Sequence, residues 1–253
     1  MTNHTSTGAA LVTGSAVRLG KRIALYLAAK GYDIAVHYNS SEGPARETQA
    51  EIQALGVQCE VFQYNLKEAE GMKKLMEEVK ARFPHLNTLV NSASGYRAAP
   101  IAETSPELFD DQFALNLRAP FFMTQAFAAV VNQGNVVNII DNKLAFNQYP
   151  YAAYLLAKKN LVEFTRMAAL EFAPEIRVNA VAPGVVLPAV VRSEAYINWR
   201  IQGIPLKKKG EPERIAQAVY QFLENDFVTG QVLVVDGGEA LTNVGQNAED
   251  YEG

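Results

Sequence analysis

Residues 141–160 read DNKLAFNQYPYAAYLLAKKN and hold three tyrosines (Tyr149, Tyr151, Tyr154), two lysines (Lys158, Lys159) and a leading Asp141. A tyrosine with an ordinary pKa of ~10 is a poor acid–base catalyst at neutral pH, and a neighbouring ammonium lowers that value. A Tyr–Lys pair on one helix face is therefore a sensible proton-transfer unit. Pro150 suits the first turn of a helix and keeps Tyr149 out of it, so Tyr151 and Tyr154 are expected inside. At ~100° per residue, Lys158 lies about 40° from Tyr154 and Lys159 about 140° away. Tyr151 shares the face but sits roughly 10 Å from Lys158. Tyr154 and Lys158 are the pair that geometry selects. The same spacing occurs by chance on amphipathic helices, so its weight depends on the elements around it.

The second chemical stretch is ALVTGSAVRLGKRIA, residues 10–24. Glycines between a buried strand and a helix let backbone approach a pyrophosphate, and the helix N-terminus adds N–H donors and a favourable dipole. Gly14 and Gly20 are present, whereas Arg18 stands where a middle glycine is expected. Arg18 could reach a phosphate or an anionic substrate group. About 20 residues on, an acidic residue would hold the ribose 2′-OH of NAD. This chain has His37, Tyr38, Asn39, Ser40 and Ser41 there. No carboxylate repels a 2′-phosphate, so NADP(H) is the expected cofactor, although ordinary loop polarity accounts for Asn39 to Ser41 equally well.

These stretches sit in a repeating strand–turn–helix pattern. Candidate strands are residues 9–12, 33–37, 59–64, 88–91, 135–140, 177–181 and 231–235. Candidate helices are 18–30, 44–55, 68–83, 106–131, 150–172 and 211–224. Consecutive apolar positions (IAVHY, VVNII, VLVVD) mark strands covered on both faces. The alternation predicts an α/β fold, one Rossmann-type doubly wound parallel sheet flanked by helices. No linker divides the 253 residues, so a single domain is expected, with residues 1–7 and about 241–253 flexible. Composition (49% apolar, 20% charged, net charge −4) gives no reason to expect nucleic acid or an anionic membrane as partner. Lone Cys59 lies in an apolar run and reads as a buried thiol, and with three histidines a His/Cys zinc site is not expected. No apolar run is long enough to span a bilayer, and the polar start MTNHTSTG is unlike a signal peptide, so a cytoplasmic location is expected.

TGSAVRLG (13–20), NSAS (91–94), ALNLRAPFF (114–122), Y-x3-K (154–158), RVNAVAPG (177–184) and FVTGQVLVVDGG (227–238), in that order, resemble the short-chain dehydrogenases/reductases over nearly the whole chain. The resemblance implies an NAD(P)(H)-dependent oxidoreductase. It makes Tyr154 the proton donor and Lys158 a ribose contact that lowers the tyrosine pKa, and it gives Asn116 the positioning of a proton-relay water. Pro183 and Gly184 would border the nicotinamide, with a substrate lid from Val185 to about Gln202. Leu19, Asn65, Leu66, Ser92, Ala93 and Ser94 join the cofactor positions by the same resemblance. It further implies a homo-oligomer, commonly a tetramer.

The common family pattern has serine 13 residues before the tyrosine, where this chain has Asp141. T-G-x4-R-L-G together with that aspartate resembles the pteridine reductase branch. Its N-A-S-S-aromatic run appears here as Ser92-Ala93-Ser94-Gly95-Tyr96. By that resemblance Tyr96 stacks on a pterin, while Arg18, Ser94, Asp141, Tyr154, Val186 and Leu187 contact substrate. The chemistry agrees: pterin nitrogens need acceptors as well as donors, and an ionised Asp141 opposes tyrosinate, keeping Tyr154 a donor. Capping of a loop is the plainer role for Asp141. The expected activity is NADPH-dependent reduction of a dihydropterin, or dihydrofolate, to the tetrahydro form. A reductase of 3-oxoacyl thioesters or another small carbonyl is the alternative, but it should carry serine at 141. The Tyr151–Lys158 spacing also matches enoyl-thioester reductases, and a catalytically idle NADP(H) sensor is the non-enzymatic reading.

Overall fold

A computed structural model describes residues 6–187 and 193–242. Seven strands form one all-parallel sheet: β1 (Gly8–Val12), β2 (Tyr32–Tyr38), β3 (Cys59–Gln63), β4 (Leu86–Asn91), β5 (Gly134–Ile139), β6 (Ile176–Pro183) and β7 (Val232–Val235), in the order β3-β2-β1-β4-β5-β6-β7. The fold is the expected doubly wound Rossmann type. Alternation along β1 shows why the strands must be apolar on both sides. Ala10 and Val12 face one core layer, with Ile23, Leu27, Ile215 and Val219. Ala9 and Leu11 face the other, with Met76, Val79, Met123 and Phe127. The first layer is capped by α1 (Arg18–Ala29), α2 (Glu42–Gln53) and α8 (Pro212–Glu224), the second by α3 (Met72–Arg82), α5 (Ala119–Val130) and α6 (Ala152–Glu171). The strand order reverses at β1–β4, so a crevice opens there beyond the carboxyl ends of the strands.

Two expected elements differ. The continuous helix over 106–131 is instead α4 (Pro106–Phe113), a π-helical turn (Ala114–Arg118) and α5. Such turns insert an extra residue without breaking the helix axis, so the apolar pattern carries no sign of them. Tyr151, expected inside a helix, precedes α6 with φ −126° and ψ 28°, and pairs with Ala99 in an isolated bridge. Within the lid segment, Glu194–Gln202 forms α7. Residues 188–192 lie outside the described residues, as do 1–5 and 243–253. Of the segments expected to be flexible, Thr7 donates its N–H to Gly31 O at 3.1 Å. Glu239–Leu241 forms a 3-10 turn with Glu239 fully buried.

Candidate active site

The crevice is a cavity of about 800 Å³. Its first wall is the turn after β1. Gly14 takes φ +64°, and a Cβ there would sit 2.9 Å from Ala93 Cα; a Cβ on Gly20 would sit 2.4 Å from Gly14 O. Both positions therefore require glycine. Arg18 adopts φ +55°, so it supplies the left-handed residue for which glycine is the usual choice. Among the described residues no side chain caps the start of α1, which leaves its first N–H groups for a ligand. A cradle that a Cβ would fill and a free helix N-terminus fit a dinucleotide pyrophosphate. Arg18 Nη2 donates to Leu187 O at 2.6 Å, linking this turn to the first residues of the lid segment.

The same turn is braced from below. Thr13 Oγ1 accepts from the N–H groups of Ser92 and Ala93 at 2.9 and 3.0 Å. Gly14 N–H donates to His37 Nδ1 at 3.1 Å, and His37 Nε2 lies 3.0 Å from Tyr64 O. These partners assign the proton to Nε2. Burial pushes the His37 pKa down to about 4, against an upward pull from the Tyr64 carbonyl, so the ring stays neutral. His37, expected as a cofactor contact, lines the cavity, and both of its ring nitrogens hold the turn. Tyr38 packs into the core. Asn39 lines the cavity, whereas Ser40 and Ser41 are not part of its wall. Leu19, Asn65, Leu66, Ser92, Ala93 and Ser94 all line it, as do Pro183, Gly184, Val186 and Leu187 on the far side.

Asp141 follows β5 and starts the 3-10 turn Asn142–Ala145. One carboxylate oxygen, Oδ1, accepts the N–H of Lys143 at 2.9 Å, which is the capping role. The other, Oδ2, accepts the hydroxyl of Tyr154 at 2.8 Å. Asp141 thus caps the turn with one oxygen and meets Tyr154 with the other. Burial and then the Asp141 charge hold the Tyr154 pKa well above the ordinary tyrosine value, with the Ser94 hydroxyl pulling weakly the other way. Lys158 Nζ donates to Ile139 O at 2.9 Å and sits 6.0 Å from the Tyr154 ring centroid. Burial lowers its pKa to about 8, partly offset by Asp141. The expected lowering of the tyrosine pKa by Lys158 is thus overridden by desolvation and the nearer carboxylate. Tyr154 keeps its proton and donates it in a hydrogen bond to Asp141.

Around this pair stands an aromatic wall. Tyr96 stacks on Tyr151 (centroids 4.4 Å apart, 14° between planes) and meets Tyr154 edge-on at 4.8 Å. Lys143 Nζ donates to the Tyr96 hydroxyl at 2.5 Å and lies 4.8 and 4.9 Å from the Tyr96 and Tyr151 centroids. Tyr96 is thus one member of an aromatic–cation cluster, not a lone ring. Asn116, in the π turn, is fully buried. Its Oδ1 accepts from Ser94 Oγ at 2.7 Å and Gly95 N at 3.3 Å, and its Nδ2 donates to the Gly95 and Gln112 carbonyls at 3.0 Å. The carboxamide ties the Ser94–Gly95 loop to the Gln112 carbonyl. Lys143, Asn142, Tyr196, Ile197 and Arg200 also line the cavity and carried no motif of their own. Position two after Asp141 was the one available hint for Lys143.

The family described as Enoyl-(Acyl carrier protein) reductase matches residues 14–239. A 3-oxoacyl-[acyl-carrier-protein] reductase FabG of Staphylococcus epidermidis is 32% identical over 238 residues, covering 90% of this chain and 97% of that protein. Its counterpart from Staphylococcus aureus is 33% identical over 247 residues, covering 92% and 98%. Among solved structures, FolM Alternative dihydrofolate reductase 1 from Brucella suis in complex with NADP superposes with a TM-score of 0.89 at 30% identity, covering 96% of this chain and 98% of that one. Acetoin dehydrogenase from Enterobacter cloacae gives 0.86 at 31%, covering 94% and 97%.

Proposed function

The chain belongs to the short-chain dehydrogenase/reductase family, and on that footing we propose that it is an NADPH-dependent reductase of dihydropterins, with dihydrofolate as a further acceptor. The observation that carries this reading is the 2.8 Å hydrogen bond from Tyr154 to Asp141, at a position where the common family pattern has serine. The Brucella suis structure, named as an alternative dihydrofolate reductase and holding NADP, supports both the substrate class and the cofactor.

The cofactor is NADP(H). Gly14, Gly20 and the N-terminus of α1 would hold its pyrophosphate, Asn39 would meet the ribose-phosphate end without a repelling carboxylate, and Lys158 would take the nicotinamide ribose. When bound, the reduced nicotinamide supplies a hydride to the pterin C=N carbon. Tyr154 donates the proton that completes reduction at nitrogen, and burial beside Asp141 keeps it charged with that proton beforehand. A tyrosinate left beside the Asp141 carboxylate is unfavourable, so donation is coupled to reprotonation of Tyr154 from solvent. Lys158 is the nearby buried cation that offsets the transient charge. Asp141 gives pterin N–H groups an acceptor, Tyr96 an aromatic edge to the site, and Arg18 a cation at its rim.

The Staphylococcus relatives favour a second reading, reduction of 3-oxoacyl thioesters. Loss of NADPH absorbance against dihydrobiopterin, dihydrofolate and an acetoacetyl thioester separates the two. Turnover of the pterins with little or none of the thioester is expected; the reverse pattern rejects the pterin reading.

A further inference from the structure

Behind Asp141 lies a charged cluster that the chemistry above does not use. Arg200 of α7 pairs with Glu239 of the C-terminal 3-10 turn, and the two side chains are only 6% and 0% exposed. Glu239 Oε2 accepts from Asn142 Nδ2 at 2.8 Å, and Asp236 Oδ2 accepts from the same nitrogen at 3.2 Å. Asp236 is itself fixed, because its carboxylate accepts the N–H groups of Gly238 and Ala240 at 2.8 and 2.7 Å. One guanidinium nitrogen, Arg200 Nη1, is buried with no hydrogen-bond partner among the described residues.

A buried ion pair with an unpartnered donor is a poor source of stability compared with apolar packing of the same volume. Its value has to come from what it holds in place. Besides its ion pair with Arg200, Glu239 accepts, among the described residues, from one side chain in this cluster, that of Asn142, the residue directly after Asp141. We propose that Glu239 is a positioning residue for Asp141. It grips the Asn142 carboxamide and so fixes the backbone from which the Asp141 carboxylate reaches Tyr154. Arg200 pairs with Glu239 in that buried place, and it ties the anchor to α7. The 3-10 turn at 142–145 is thereby clamped from two sides. Lys143 N–H holds Asp141 Oδ1 in front, and the Glu239–Asp236 acceptors hold Asn142 behind.

The proposal rests on Asp141 and Tyr154 being the proton-handling pair, not on the identity of the substrate. Whichever substrate of the panel is turned over serves for its test, so a switch from pterin to thioester leaves the comparison intact. Turnover of none of them overturns both. The measurement is the single-turnover rate of NADPH oxidation by full-length protein, alongside the dissociation constant for NADPH. Two double variants remove the ion pair equally, and only one keeps an acceptor for Asn142. Arg200→Met/Glu239→Gln is expected to turn over about tenfold faster than Arg200→Met/Glu239→Ala, with NADPH affinity the same in both. Asn142→Ala is expected to lose about tenfold in the native background and less than about twofold when Asp141 is already serine, because its effect passes through Asp141. Equal rates for the two double variants overturn the proposal, as does an undiminished Asn142→Ala penalty in the Asp141→Ser background. If Asn142→Ala does not fold, the pair of double variants decides alone.

Discussion

The two halves of the cleft are built from different materials. The cofactor half is made of backbone: Gly14 and Gly20 leave room, Arg18 contributes its left-handed φ, and Thr13 and His37 use their side chains to hold main-chain N–H groups. The half proposed for the substrate is made of side chains: Asp141, Tyr154, Tyr96 and Lys143 each touch another functional group of the set, and Lys158 Nζ sits 6.0 Å from the Tyr154 ring centroid. A backbone cradle recognises a pyrophosphate that is the same in every dinucleotide. A side-chain wall can change its substrate with one substitution while the cradle stays as it is.

That contrast predicts a clean separation of kinetic constants. Tyr154→Phe removes the donor and nothing of the cradle, so kcat should fall by about 10³-fold with NADPH affinity nearly unchanged. Matched loss of both, seen by fluorescence titration of NADPH, would mean the halves are not separable. Asp141→Ser is the next step down: pterin reduction should fall by about 10²-fold while NADPH binding holds. The opposite signature belongs to Gly14→Ala. Its added carbon meets Ala93 Cα at 2.9 Å in a φ that disfavours any side chain. NADPH should bind about 10- to 100-fold more weakly, with a smaller change in kcat at saturating cofactor.

The brace beneath the cradle gives a pH-dependent version of the same test. His37 has a pKa of 6.5 when unfolded and about 4 in the native protein, because burial disfavours its charged form. Between these values the unfolded chain binds a proton that the folded chain does not, so stability must fall as pH drops from about 6.5 toward 4. The loss amounts to roughly 3 kcal/mol at most from this residue alone. Urea unfolding at pH 7 and pH 5 should show it, and His37→Gln should be less stable at pH 7 yet flatter between the two. An unchanged slope in the variant would show that another group carries the acid sensitivity.

How much of this was legible beforehand follows the same division. Gly14, Gly20 and the strand–helix alternation were readable because local backbone needs dictate them, and the 40° offset between Tyr154 and Lys158 follows from helix geometry alone. The π turn at Ala114–Arg118 was hidden, since ALNLRAPFF keeps an apolar periodicity through it. His37 looked like a loop-end polar residue because its partners, Gly14 and Tyr64, are 23 and 27 positions away. The Asn142–Glu239 contact spans 97 positions and has no local trace. Asp141 was noticed through family resemblance, but its division of labour between Lys143 N–H and Tyr154 needed the fold.

Arg18 straddles the comparison, and its substitution gives the smallest and finest test. Its backbone belongs to the cradle, whereas its guanidinium reaches Leu187 O on the substrate side. Holding a non-glycine residue at φ +55° costs on the order of 1 kcal/mol, which Arg18→Gly relieves; glycine gives back about the same amount through unfolded-chain entropy. Thermal stability of Arg18→Gly should therefore match the native protein to within about 1 kcal/mol. Arg18→Ala keeps the strain, avoids the entropy cost and loses the same side chain, so it should melt within about 1 kcal/mol of Arg18→Gly. Both variants lack the link to Leu187 and should show the same several-fold rise in substrate KM. If Arg18→Gly alone preserves KM, the guanidinium is irrelevant to the lid segment and Arg18 belongs wholly to the backbone half.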